Sequence, residues 1–412
     1  MSTMGNPMCP GRMSRRRLLA GMGVAAAGGV LRAQGSPMAP TAPVAVAKCS
    51  TYGPEVTATL DRMFDQLGGL GRIVKGKTVA IKVNLTGLPT MRLGYAPVES
   101  TTYTHPAVIG AAIHLMDRAG ARRIRLVECA FLTAEPLAEF MLRAGWEPRN
   151  LANAGARVEF ENTNFLGSYK SYARLMVPGR ALLFPGFDFN RAYEECDVMV
   201  SMAKLKEHAT AGVTLSIKNM FGTTPCTIYG DQAGENEPSE VPRGGRGRVF
   251  HAGERPPSKG SLPELDPTTP RIDHYRIPRV IVDIVKARPV HLAIIDGIQS
   301  MAGGEGAWNG PQLKAVSPGI LVAGTNAVTT DAVGTALMGF DPMAERGTAP
   351  FELCDSTLQL AEMQGLGTRD LKRIEVVGTP IKDAVFPYRP HWLRPRQEKM
   401  GTGTNFLPRE VL

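Results

Sequence analysis

Side chains able to carry or move charge recur where extended, β-branched runs end. In T-V-A-I-K-V-N, Lys82 and Asn84 alternate onto one side of a strand near its carboxyl end. Glu128 closes R-I-R-L-V-E, and Asp296 closes H-L-A-I-I-D and opens a glycine-rich loop. After D-V-M-V-S-M comes A-K-L-K-E-H, in which Lys204, Lys206 and His208 share a face if the chain stays extended. Lys218 and Asn219 follow in T-L-S-I-K-N-M-F-G. Lysines gathered this way suit a carboxylate or phosphate. His105 stands between Thr104 and Pro106, at the start of an amphipathic helix, where positive potential favours the neutral imidazole.

These residues suggest a division of labour. Lys82, Asn84, Lys204, Lys206, Lys218 and Asn219 are expected to bind a small anionic ligand. His105 or His208 would transfer a proton, with Glu128 or Asp296 orienting it. Glu128, Asp296, Glu305 and Asp331, with the two histidines, offer donors for a hard or borderline divalent metal, though at no known ligand spacing. Ser201 and Lys204 match S-x-x-K, the motif of penicillin-binding serine enzymes. That chemistry needs the pair one helical turn apart, whereas a strand sends residues three apart to opposite faces. The expected function is an enzyme acting on a small carboxylate or phosphate, possible metal assistance included. The alternative is a non-catalytic ligand-binding or cofactor-maturation protein.

The elements that must position these groups alternate. Strand-like runs occupy 43–48, 77–85, 123–128, 197–202, 291–296, 319–323 and 373–377, and helical stripes occupy 56–70, 106–119, 135–144, 327–337 and 351–363. Such alternation predicts an α/β fold with a mostly parallel sheet flanked by helices. Ligands of such sheets bind beyond the carboxyl ends of the strands. Residues 230–271 break the rhythm with 14 Gly or Pro in 42 positions, either a functional flap or a loose insertion. The α/β domain is placed at 43–380, with an extended arm at 381–412.

The chain has 412 residues and 47 Lys plus Arg against 38 Asp plus Glu, a net charge of +9. Five arginines without an acidic partner lie in the first 34 residues, so the remainder carries only +4, which argues against a nucleic-acid surface. Ser14-Arg15-Arg16-Arg17-Leu18-Leu19 precedes a short apolar run rich in Gly and Ala. It reads as a twin-arginine (Tat) export signal over 1–33, which makes the Tat machinery a partner and the periplasm the destination. No stable membrane span is expected after its removal. The six cysteines include no C-x-x-C pair, so no iron–sulfur or zinc motif is present. Buried thiols are expected, with room for two disulfides at most.

K-V-N-L-T-G (82–87), T-H-P (104–106), G-A-R-R-I-R-L-V-E (120–128) and M-A-K-L-K-E-H-A-T-A-G-V-T-L-S-I-K-N-M-F-G (202–222) resemble the bacterial domain of unknown function 362 family. The resemblance spans roughly 44–341 and implies that the strand-end residues form a site, without implying a reaction. Some members carry a fused ferredoxin-like iron–sulfur module, which has no counterpart here.

Overall fold

The computed structural model describes residues 38–389. The expected leader at 1–33 and the outer part of the expected arm, 390–412, lie outside the described residues. Eight strands form the central sheet: β1 (Val44–Lys48), β2 (Thr78–Lys82), β3 (Arg123–Glu128), β4 (Val158–Asn162), β5 (Val198–Lys204), β6 (Leu292–Gly297), β7 (Ile320–Gly324) and β8 (Val376–Gly378). Their order is β8-β1-β7-β6-β5-β2-β3-β4. β7 runs antiparallel to β1 and β6, while the remaining neighbours are parallel. The α/β class with a mostly parallel sheet is therefore the observed one.

Both faces are covered, which is why the strands read as continuous apolar runs rather than alternating ones. Val79, Ile81, Val198, Val200, Met202, Leu292 and Ile294 face one layer, built from helices Glu55–Gln66, Pro106–Arg118 and Leu137–Arg143. Ala80 and Met199 face the other, where helix Asp273–Ala287 packs. Ala203, Ile295 and Val322 meet helix Ala327–Leu337 on that same side.

One strand of the central sheet and one long helix lie outside the sequence expectation. β4 is a short edge strand whose V-E-F-E-N is half polar and only partly buried. Helix Asp273–Ala287 carries Pro278 and four charged side chains that are nonetheless buried: Arg276, Arg279, Asp283 and Lys286. Each is satisfied. Arg276 pairs with Glu264, Arg279 with Asp355, and Asp283 accepts from the backbone N–H groups of Leu182, Leu183 and Phe184. Residues 351–356 are not helical, because Ser356 caps a helix confined to Thr357–Met363 and accepts from Gln359 N at 3.2 Å.

The Gly/Pro-rich stretch 230–271 is anchored by Val249, Phe250 and Ser258, all buried. Phe250 contacts Phe184, Phe187, Phe221 and Tyr229. Within 381–389 a short helix, Ile381–Ala384, precedes Tyr388, which is buried and donates its hydroxyl to Leu205 O. Among the described residues no helix is long and apolar enough to cross a membrane. The five cysteines there, Cys49, Cys129, Cys196, Cys226 and Cys354, are free and buried.

Candidate ligand-binding site

Strand register decides which charged groups meet. Lys82 on β2 lies opposite Ser201 on β5, and Lys204 lies opposite Asp296 on β6. Ser201 and Lys204 are three apart on one strand, so their side chains leave opposite faces. Lys82 therefore works on one side of the sheet and Lys204 on the other. The strand-end residues form two groups, not one.

The first group is closed. Lys204 Nζ donates to Asp296 Oδ2 at 2.8 Å, to Tyr52 OH at 2.9 Å and to Glu99 O at 2.8 Å. Asp296 also accepts from His105 N and Ile298 N at 3.0 and 3.2 Å, and from Tyr52 OH at 3.0 Å. Lys204 and Asp296 have no exposed side-chain surface. Burial pulls the Lys204 ammonium below its ordinary range and Asp296 opposes that pull. The His105 ring stacks on Tyr52 with 3.5 Å between centroids, and its Nδ1 accepts from Ala107 N, capping helix Pro106–Arg118. Burial, and then the Lys204 charge, push His105 down to about 4, so the ring is neutral as expected. Lys206 is likewise enclosed, donating to Thr102 O and Glu305 O at 2.7 and 2.9 Å.

The second group surrounds a cavity of about 420 Å³ on the other face. Lys82, Asn84, Glu128, His208, Lys218, Asn219 and Glu305 all line it. So do Arg246 and His251, which come from the Gly/Pro-rich stretch, and the apolar side chains Phe131, Phe221 and Trp308. The expectation that four lysines converge on one ligand is thus corrected: Lys204 and Lys206 donate to protein oxygens and do not line the cavity, and His105 and Asp296 do not line it either.

Most polar groups of the cavity are already partnered. Lys82 Nζ donates to Glu128 Oε2 at 3.0 Å, Asn219 Oδ1 at 2.9 Å and Val83 O at 2.9 Å. Asn219 returns its amide to Lys82 O and Ser201 Oγ, which ties the short helix Ser216–Asn219 to β2 and β5. Glu305 accepts from Ala209 N, Trp308 Nε1 and Asn309 Nδ2. Burial works against its charge, but these three N–H donors favour the carboxylate and hold it below its ordinary range.

Lys82 and Glu128 need space that only a glycine leaves. A Cβ on Gly222 would lie 2.6 Å from Lys82 Nζ and 3.1 Å from Glu128 Oε1, and the ammonium is fixed by three acceptors. Gly222→Ala should cost about 1–3 kcal/mol in a denaturant titration, the usual cost of overpacking. Gly87 meets a similar demand: φ is +89°, and a Cβ would strike the Trp308 ring at 2.5 Å.

Two cations remain without an acidic partner. Lys218 Nζ sits 4.5 Å from the Phe221 ring centroid, and among the described residues it has no hydrogen-bond acceptor. Burial, and then the Lys82 and Arg246 charges against the opposing field of Glu305, lower its ammonium to about 7. Arg246 donates Nε to Thr224 O at 2.6 Å and lies 5.6 Å from the Phe221 ring centroid, but among the described residues its buried Nη2 has no partner. Asn84 Oδ1 is a second buried polar atom left without one. His208 Nδ1 accepts from Thr210 N at 3.1 Å, so the neutral ring carries its proton on Nε2. Burial, and then Lys218, hold His208 well below its ordinary range. Burial raises the Cys129 thiol to about 12, which leaves it un-ionised and a poor nucleophile.

Of the four carboxylates, Glu128 and Glu305 line the cavity while Asp296 and Asp331 do not. Glu128 is engaged by Lys82, Asp296 by Lys204, and Asp331 accepts from Ser216 N and Ile217 N at 2.8 Å each. Among the described residues no group of three His, Cys, Asp or Glu is placed to hold a metal ion. The donor set therefore does not fit the divalent metal entertained from sequence.

Sequence reading did not anticipate Arg246, His251, Phe131, Trp308 or Tyr52 in these roles. The apolar pair Val249-Phe250 inside an otherwise Gly/Pro-rich run was a usable sign that the stretch docks on the core and carries its neighbours with it. Nothing in the sequence singles out Tyr52.

A mixed sheet covered on both faces, with a cationic cavity beyond its strand ends, defines an α/β protein built on the strand-end plan. The chain belongs to the family described as Domain of unknown function (DUF362), whose model matches residues 79–336. It is 25% identical over 289 residues to the thylakoid-associated protein sll1697 of Synechocystis sp., covering 69% of this chain and 70% of that one. A crystal structure of a Thermotoga maritima protein aligns with 62% of this chain at 12% identity and a TM-score of 0.32. The chain spans about half of that protein, with 52% covered, a likeness too slight to bear on fold or function.

Proposed function

We propose that the protein binds a small carboxylate or phosphate with an apolar body in this cavity and acts on it as an enzyme. The carrying observation is an imbalance of charge. The cavity presents the Lys218 ammonium and an Arg246 guanidinium with a free N–H, while its two carboxylates are engaged by protein donors. An unpaired buried donor is costly, and an anion would satisfy it. Phe131, Phe221 and Trp308 suit the apolar part of such a ligand. Lys218 and His208 are the proton-transfer groups, since one titrates near neutrality and the other is a neutral imidazole.

A panel of carboxylates and phosphates screened by thermal shift, followed by assay of the binders for turnover, tests this reading. At least one anion should raise the melting temperature and be converted. Tight stoichiometric binding without turnover would favour the ligand-carrier alternative, and no stabilisation by any anion would refute the reading.

Export by the twin-arginine route to the periplasm is also proposed, from Ser14-Arg15-Arg16 before the apolar run. Arg15→Lys with Arg16→Lys should leave the full chain in the cytoplasmic fraction. Unchanged fractionation of that double variant would remove the export proposal.

A further inference from the structure

We infer that Lys218 is a nucleophile that condenses with the carbonyl carbon of a small oxo acid, while Arg246 holds the anionic group of the same molecule. The inference rests on the anion reading above and deepens it by naming the substrate class: an aldehyde or ketone bearing a carboxylate or phosphate.

A lysine serves as an amine nucleophile when it is uncharged, reachable and not held by an acceptor. Of the four lysines near the strand ends, Lys82, Lys204 and Lys206 fail the third condition, each donating to two or more protein oxygens. Lys218 alone of these lines the cavity with no acceptor for its ammonium. It stands on the short helix Ser216–Asn219, whose start is fixed by Asp331 through Ser216 N and Ile217 N.

The groups facing Lys218 pull its proton affinity in both directions. The Phe221 ring, 4.5 Å away, favours the charged form. Glu305 and Glu128 favour it too, but Glu305 is already engaged by three donors and Glu128 by Lys82. Withdrawal from water and the Lys82 and Arg246 charges prevail, leaving roughly half the amine free at pH 7. An ordinary lysine is free to less than about one part in a thousand there.

The step balances without a redox partner. The Nζ lone pair attacks the carbonyl carbon, and the C=O π pair moves to oxygen. A proton passes from nitrogen to that oxygen, giving a carbinolamine. The oxygen then leaves as water with the second nitrogen proton, and the C=N bond forms. His208, neutral and protonated on Nε2, lines the same cavity and is the residue to relay those protons.

Pyridoxal 5′-phosphate, an aromatic aldehyde with a phosphate, is the probe. The purified full chain is incubated with it, reduced with borohydride and mapped by peptide mass spectrometry. Pyridoxine 5′-phosphate, with an alcohol in place of the aldehyde, is tested alongside by thermal shift. The expected result is one pyridoxyl group per chain, on Lys218, with a labelling rate half-maximal near pH 7. Pyridoxine 5′-phosphate should protect that site, and Lys218→Arg should remove the label. Labelling absent from Lys218, or no greater there than at surface lysines, would overturn the inference. If pyridoxine 5′-phosphate still stabilises the chain in that case, the anion reading stands without the imine. If neither compound acts on the chain, both fall for this ligand class.

Discussion

Lys204→Met is expected to lower folding stability by about 3–5 kcal/mol, the cost of removing one partner from a buried ion pair. The size follows from enclosure: Lys204 and Asp296 are cut off from water, and each bonds to more than its counterpart. Without the ammonium, Asp296 keeps a buried charge, while Glu99 O and Tyr52 OH lose a donor. Adding Asp296→Asn should recover part of the loss, because it removes the buried charge, while its single amide oxygen serves only one of His105 N and Ile298 N, which now bond to different carboxylate oxygens. Urea titrations of the two variants and the double variant give the coupling directly. A loss below about 1 kcal/mol for Lys204→Met would mean that water reaches the pair. The same change should leave anion affinity nearly untouched, which separates the clamp from the cavity.

Arg246→Met carries the second large effect. It should weaken binding of an anionic ligand by about 30- to 1,000-fold, or about 2–4 kcal/mol, since a buried charge-assisted contact is lost. Stability should change far less, because the guanidinium is held by Thr224 O and the Cys129 thiol rather than by a carboxylate, and among the described residues it leaves Nη2 unpaired. Wild-type affinity should also fall as pH rises through about 7. Lys218 is depressed to that value in the free protein, so above it an anion must bind an uncharged amine or take up a proton. Isothermal titration at pH 6 and pH 8.5 checks both claims, and an affinity that rises with pH would contradict them.

The class of fold was legible because most strands of the central sheet are apolar runs and helices such as Glu55–Gln66 and Pro106–Arg118 show an apolar stripe, although β3 carries a buried Arg125. Pro278 and four buried charges hid helix Asp273–Ala287, whose charged side chains are stabilised by partners far away in the chain. The candidate site was half legible. That Lys82, Glu128, His208, Lys218 and Asn219 sit beyond the strand ends follows from their positions in the runs. That Lys82 and Lys204 work on opposite faces depends on cross-strand register, which no local pattern encodes. The rule that separates Ser201 from Lys204 becomes informative about Lys82 only once Lys82 is known to pair with Ser201. Arg246 and His251 reach the cavity through a stretch with no periodicity to read, held in place by Phe250.

Matched probes that share a benzene ring and differ in charge give the most direct measurement. Phenyl phosphate, 2-phenylethanol and phenethylamine are titrated calorimetrically into the wild-type chain and into Arg246→Met. Saturable one-to-one binding of the phosphate alone, lost in the variant, is the predicted result. Equal or tighter binding of the amine, or phosphate binding indifferent to Arg246, would contradict a cavity made for negative charge.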